Sequence, residues 1–402
     1  MLKLSKANTY FLFWISALLI FLSAEILDKI NRANGDLRTG VALKLIVVLL
    51  ACVYIIFTSI KRVNKKLFFS IVFFLMLIFF GFIFTAINYN FNLNDSFYIL
   101  LRYLSALVLI GFSVASIGYI DGIYYKKIGY FFFFAFLINA LLAVYGYIFD
   151  ISLFKTYGYF LNDVNESSYY DSRFGFNGLI VEQNISSYYN FIGFATAFFL
   201  FFKNRVTFSL LLFFLIMFCY SILTGTKTLL LLCLMFYFFY FFKNGIFRVF
   251  VVVAAFIVFI FYAYFKNLFY ILGSFEFWDG LLSHRLSLLS TRDIGEYYLL
   301  NLLFGTYYDD PMNFLSEMEF IDIFKFFGLL TGLFYIYILA YFLKDMKKNI
   351  SFEFMIPIYI IIFASAFSGH LLYDPTSSFF LSYFILFIGL FIKSGNFGVK
   401  KK

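Results

Sequence analysis

"IGYFFFFAFLINALLAVYGYIFD" spans residues 128–150 and carries no charge until its last residue, Asp150. Lys126 and Lys127 stand immediately before it. As an α-helix, a run of this length reaches over about 30 Å, the thickness of a bilayer's hydrocarbon core. A helix on the surface of a soluble domain would show a polar stripe along one side. This run has apolar residues on every side, so it reads as a transmembrane helix.

Runs of the same kind recur on both sides of it. The expected spans are 10–24, 41–60, 67–87, 97–120, 128–150, 179–202, 206–222, 228–242, 246–266, 321–343, 353–372 and 376–393. The chain has 402 residues, 63% hydrophobic and only 13% charged, with 67 Phe and 33 Tyr. A soluble domain carries about 25% charged residues and has no means of covering so much apolar surface. The expected fold class is therefore all-α: a polytopic transmembrane helical bundle of about 12 spans, with residues 1–402 forming a single integral membrane domain. Cys52, Cys219 and Cys233 all fall inside apolar runs with no CxxC spacing, and they read as inert buried thiols.

Lys and Arg set the expected orientation. One set of loops collects Lys3 and Lys6, the cluster from Lys61 to Lys66, Lys126 and Lys127, Lys203 and Arg205, Lys243 and Arg248, Lys344 to Lys348, and the C-terminal lysines. The opposite set holds fewer: Lys29, Arg32, Arg38, Lys44, Lys155, Arg173, Lys227, Lys266, Arg285 and Arg292. The first set is expected in the cytoplasm, with both termini there. The net charge of +9 then follows from topology. No basic patch interleaved with aromatics outside the spans points to nucleic acid.

Two outward loops are long, 151–178 and 267–320. The second keeps Trp278 and a leucine pattern, Leu281, Leu282, Leu286 and Leu289, that suits a helix lying at the membrane interface. It contains "SHRLSLLSTRD" (283–293), with His284, Arg285 and Arg292 in one short polar run. Arginine presents a planar fork of donors suited to phosphate oxygens and stays protonated at any relevant pH. Arg173, Arg285 and Arg292 are thus candidates for contact with a lipid-borne phosphate or pyrophosphate. Ordinary contact with lipid headgroups remains the plain alternative for each.

Charge inside a bundle is expensive, so each such residue needs a partner or a task. Arg102, Glu182, Lys227, Glu319, Asp322, Lys325 and His370 are the candidates. Arg102 is equally well read as pairing with a buried carboxylate. Metal chemistry is not indicated: the two histidines, His284 and His370, are far apart and no DxD stands on an outward loop. No Walker A motif and no GxSxG turn occurs.

Several stretches resemble the Wzy-type O-antigen polymerases and the related O-antigen ligases. "SRFGFNGLIVEQNISSYYNFIGF" (172–194) is similar to the family's outward Arg–aromatic–Gly segment leading into a helix. "SILTGTKTLLLL" (221–232) resembles its short polar turn between two middle helices. "SHRLSLLSTRDIGEYYLLNLLFGTYYDD" (283–310) resembles its late loop, "EMEFIDIFKFFGLLTGLFY" (317–335) the acidic start of the next helix, and "SGHLLYDP" (368–375) a His-bearing turn near the C-terminus. The similarity covers most of the second half; the first half matches in hydropathy alone. Where some members carry a glycine downstream of each arginine, this chain has Tyr189 and Asn301, and Lys227 stands where an arginine is frequent.

The resemblance implies a GT-C-like, metal-independent, inverting glycosyltransferase of the bacterial inner membrane, with no cofactor and its active site facing the periplasm. The donor would be a glycan on undecaprenyl pyrophosphate, the acceptor a sugar hydroxyl of a new lipid-linked repeat unit. Membrane lipids and a chain-length regulator protein would be partners. Arg173, Arg285 and Arg292 would clamp pyrophosphate, with Glu182, Glu319 or His370 as general base. Asn184, Tyr169, Tyr170, Lys227 and Asp322 would contact substrate. The rivals are the ligase, which passes the same glycan to lipid A core, and a lipid-glycan flippase, a transporter without catalysis.

Overall fold

A computed structural model describes residues 6–33, 40–59, 65–88, 93–157, 172–180, 182–202, 207–242, 299–306, 318–347, 352–367 and 369–394. The helices are α1 (Lys6–Ala33), α2 (Gly40–Ser59), α3 (Lys65–Asn88), α4 (Leu93–Tyr119), α5 (Tyr125–Phe149), α6 (Gln183–Ala197), α7 (Thr207–Leu223), α8 (Lys227–Phe242), α9 (Leu299–Phe304), α10 (Glu319–Lys347), α11 (Phe352–Ser365) and α12 (Pro375–Lys393). A helix lies under every expected span except 246–266, which falls outside the described residues. Among the described residues, six segments are long and apolar enough to cross a membrane: Ala7–Asn31, Lys66–Ile87, Ser96–Tyr119, Gly122–Phe149, Glu319–Lys344 and Pro375–Lys393. Four shorter apolar helices accompany them. The chain is thus a mostly helical protein with the composition of a membrane-embedded bundle.

Helices α12 and α6 form its centre, buried along nearly their whole length. α12 packs most extensively on α4. Its start is written in the sequence: Asp374 accepts the Thr376 N–H at 2.7 Å and Pro375 takes the first position, where a missing N–H costs nothing. By contrast α3 and α5 expose Phe69, Phe79, Leu141 and Ile148, the apolar flanks that a bilayer would cover.

Side-chain contacts fix which helix ends lie together. Tyr124 donates to Asn8 at 2.8 Å and Lys393 donates to the Ile120 carbonyl at 2.7 Å, joining α1, α5 and α12 at one end. At the other end the segment after α5 forms a small antiparallel hairpin, β1 (Lys155–Tyr157) with β2 (Ser172–Phe176). Lys29 from α1 and Thr224 from the α7–α8 turn bind this hairpin. The chain is mostly helical, compatible with the all-α expectation, and these two short strands are the exception among the described residues. They form because the polar backbone leaving α5 needs partners, and residues 172–176 supply them.

The structure also corrects two placements. Lys29 and Lys44, expected in an outward loop, are buried in the bundle. α1 continues past its expected end at 24 because Glu25 and Asp28 offer Lys44 an ion pair inside the bundle. The end of the long loop 267–320 also turns inward, since α9 packs against α3 and α10. α10 itself is broken at Gly328, where φ is +72°. A side chain is excluded there, because a Cβ would lie 2.3 Å from the Gly305 nitrogen. The break frees carbonyls, and Thr306 from the facing segment donates to that of Lys325 at 2.9 Å, while Thr331 on α10 donates back to the Phe304 carbonyl at 3.3 Å. Non-helical backbone is tolerated at such depth only with partners of this kind.

Candidate functional site

The polar side chains of the bundle gather at the hairpin end. Lys44 on α2 pairs with Glu25 and, at 3.3 Å, with Asp28, both on α1. Thr376 on α12 donates to Glu25 at 3.0 Å, and Asp28 accepts the Gly40 N–H at 2.7 Å. Lys29, on the same helix, is held by three oxygens: the Lys155 carbonyl (2.8 Å), the Asn177 side chain (2.6 Å) and the Ile180 carbonyl (3.0 Å). It thereby ties α1 to the hairpin and to the turn that leads into α6.

Beside this network lies the turn 369–374 between α11 and α12. Glu319, fully buried at the start of α10, accepts the N–H groups of Leu372 (3.1 Å) and Tyr373 (3.0 Å), one on each oxygen. Arg102 on α4 covers the other side of the turn. Its guanidinium sits 4.0 Å from the centroid of the Tyr373 ring and donates to the Tyr373 hydroxyl at 3.2 Å. Beside this contact with tyrosine, Arg102 acts electrostatically on the buried Asp374 carboxyl. Asp322, one turn after Glu319, points its Oδ2 at His370 Nδ1, 3.9 Å away. Asn184, near the start of α6, packs against Gly369, where φ is +86° and a Cβ would meet its side chain at 3.0 Å.

The Asp374 carboxyl is pushed above the ordinary carboxylate range, first by burial and then by Glu182, while Arg102 and Lys44 pull it the other way. Burial also raises the Tyr373 hydroxyl, against the pull of Arg102.

Of the sequence candidates, Glu182, Asn184, Glu319, Asp322 and His370 come together around this turn. Arg173 lies on β2, opposite Thr156. Lys227 is exposed at the first position of α8. Arg285, Arg292, Tyr169 and Tyr170 lie outside the described residues. Glu25, Asp28, Lys29 and Lys44 are not among the sequence candidates for a site; Lys29 and Lys44 entered only as outward positive charges. The signal that finds them is the helical spacing of Glu25, Asp28 and Lys29, which places all three within one turn of one another. Comparison of the chain with protein-family models, curated proteins and solved structures gives no match.

Proposed function

We propose that the chain is a membrane glycosyltransferase that joins lipid-linked glycan repeat units, an O-antigen-type polymerase of about 12 spans with a GT-C-like bundle. The carrying observation is the convergence of Asp322, His370, Glu319 and Arg102 on one turn at the hairpin end of an otherwise apolar bundle. Such an expense of buried polar groups suits a task at the membrane surface. On this reading the hairpin end faces the periplasm, as the Lys and Arg distribution also suggests.

The acceptor hydroxyl oxygen attacks the anomeric carbon of the donor glycan. The bond from that carbon to the pyrophosphate oxygen breaks, and the electron pair leaves with undecaprenyl pyrophosphate. The hydroxyl proton passes to His370, beside the Asp322 carboxylate at 3.9 Å. Proton acceptance of this kind contributes about 10²–10⁴-fold. Glu319 has both oxygens committed to backbone N–H groups, so it serves as a clamp for the turn more readily than as a base. Arginine donors on the departing pyrophosphate, Arg173, Arg285 and Arg292, supply about 3–4 kcal/mol each where the site is dry. Holding two lipid-tethered reactants in one groove adds the advantage of proximity.

Glycan from a deletion strain of the host, run as a ladder on a gel, tests this. Single repeat units on the core support the polymerase. Polymer retained on the carrier lipid indicates the ligase. Repeat units confined to the cytoplasmic face indicate the flippase. That last reading has an observation of its own: the buried charges Glu25, Asp28, Lys29 and Lys44 line the wall between α1, α2 and α12, as polar residues line a transport path.

A further inference from the structure

Tyr103 is one residue past Arg102 on α4, and its side chain is completely buried. Its ring lies among Phe326, Phe327, Tyr335 and Tyr373 at centroid distances of 5.2–6.1 Å. Its backbone carbonyl accepts the Tyr335 hydroxyl at 3.0 Å. Its own hydroxyl, however, has no hydrogen-bond partner among the described residues. Neither does Nδ1 of His370, because 3.9 Å to Asp322 is too long for a hydrogen bond. The two groups flank the same ring: His370 lies 5.3 Å from Tyr373 and Tyr103 lies 5.2 Å from it. Glu319 and Asp322 both act electrostatically on the Tyr103 hydroxyl, and Asp322 lies 3.9 Å from His370.

A buried hydroxyl without a partner costs about 1–3 kcal/mol. Packing alone gives no reason to keep it, since phenylalanine would fill the same space. Two such atoms facing one acidic patch describe a place made for a third polar group that both donates and accepts.

We propose that Tyr103, His370 and Asp322 form the seat of a sugar hydroxyl, the acceptor hydroxyl if the polymerase reading holds. The Tyr103 hydroxyl donates to the incoming oxygen, and that oxygen's own proton points to the Asp322–His370 pair. Tyr103 is then a substrate-binding residue on a helix that the sequence marked only through its neighbour Arg102.

Tyr103→Phe removes the hydroxyl and nothing else. The expected result is normal accumulation in the membrane and a melting temperature in detergent equal to the parent's or up to about 6 °C above it, because an unsatisfied buried hydroxyl is removed and no bond within the protein is lost. Polymer output per folded molecule falls about tenfold, the factor carried by one hydrogen bond of about 1.4 kcal/mol. Tyr335→Phe gives the contrast, since its hydroxyl is already bonded to the Tyr103 carbonyl: stability falls and output per folded molecule holds. Unchanged output from Tyr103→Phe overturns the proposal and leaves the seat to water. Poor accumulation or a lowered melting temperature also overturns it, by revealing a structural partner. Both outcomes leave the polymerase reading intact. That reading fails separately, and takes the acceptor assignment with it, if deleting the whole chain leaves the glycan ladder unaltered.

Discussion

Lys44→Met probes how the α1–α2 contact is held. The Lys44 side chain is 5% exposed, and the carboxylates of Glu25 and Asp28 that it bridges are 0% exposed. Met keeps the volume of the stem and removes the ammonium. Two carboxylates are then left in the interior with their other contacts, Thr376 on Glu25 and the Gly40 N–H on Asp28. Removing one partner of a buried ion pair costs about 3–5 kcal/mol, because the remaining charge has lost its compensation. At about 2 °C per kcal/mol for a long chain, the melting temperature falls by about 6–10 °C. Thermal unfolding in one detergent, followed by size-exclusion chromatography, measures it. Adding Glu25→Gln to Lys44→Met removes one stranded charge while keeping an oxygen for Thr376, so the double variant recovers more than half of the loss. The two single variants and the double close a cycle that isolates the pair. A melting temperature for Lys44→Met within about 2 °C of the parent, or a double variant no better than the single, refutes the view that charge holds these helices together.

Two further outcomes follow from geometry at the same end. Gly328→Ala forces a left-handed conformation on a residue with a Cβ, about 1–2 kcal/mol, and drives that Cβ into the Gly305 backbone, which has nowhere to yield. Melting temperature falls by about 4 °C or more, and a variant as stable as the parent shows that the break in α10 is not needed. Asp374→Asn keeps an N-cap side chain for α12 and removes a titrating group. The folded-state value of Asp374 lies above its unfolded one, so its contribution favours folding while protonated and is lost as pH rises through the folded value. The variant therefore gains stability relative to the parent as pH rises from below the ordinary carboxylate range through the folded value; a difference that does not change anywhere along that titration contradicts the raised carboxyl.

Hydropathy along the sequence finds helices because lipid-facing and core-facing residues are both apolar, so the run 128–150 is legible without knowing its neighbours. The same averaging hides what matters for a site. Glu25, Asp28 and Lys29 end the apolar window at 24, so a scan reads them as loop, although the helix carries them on to Ala33. Their partners, Lys44 and Thr376, come from α2 and α12, and no local pattern announces a contact over 351 residues. His370 and Asp322 are legible as costly residues near helix ends, and they lie 3.9 Å apart. Tyr103 is invisible among 33 tyrosines, since only packing reveals that its hydroxyl, like that of Tyr189, is buried without a hydrogen-bond partner among the described residues.

The turn 369–374 shows why the fold and the candidate site are hard to separate. Its backbone N–H groups at Leu372 and Tyr373 lie where neither α11 nor α12 can receive them, and Glu319 crosses from α10 to accept both. That commitment brings Asp322, three residues on, level with His370. Arg102 closes the far side by stacking on Tyr373, and thereby sets Tyr103 against the opposite edge of the same patch. Asp374, the last residue of the turn, starts the central helix. A structural need, the capping of one buried turn, thus fixes the positions of the groups that a proton transfer would use. Changes at Glu319 should accordingly disturb folding and chemistry together, whereas changes confined to the far atoms of His370 or Tyr103 leave the turn's hydrogen bonds in place and reach the chemistry alone.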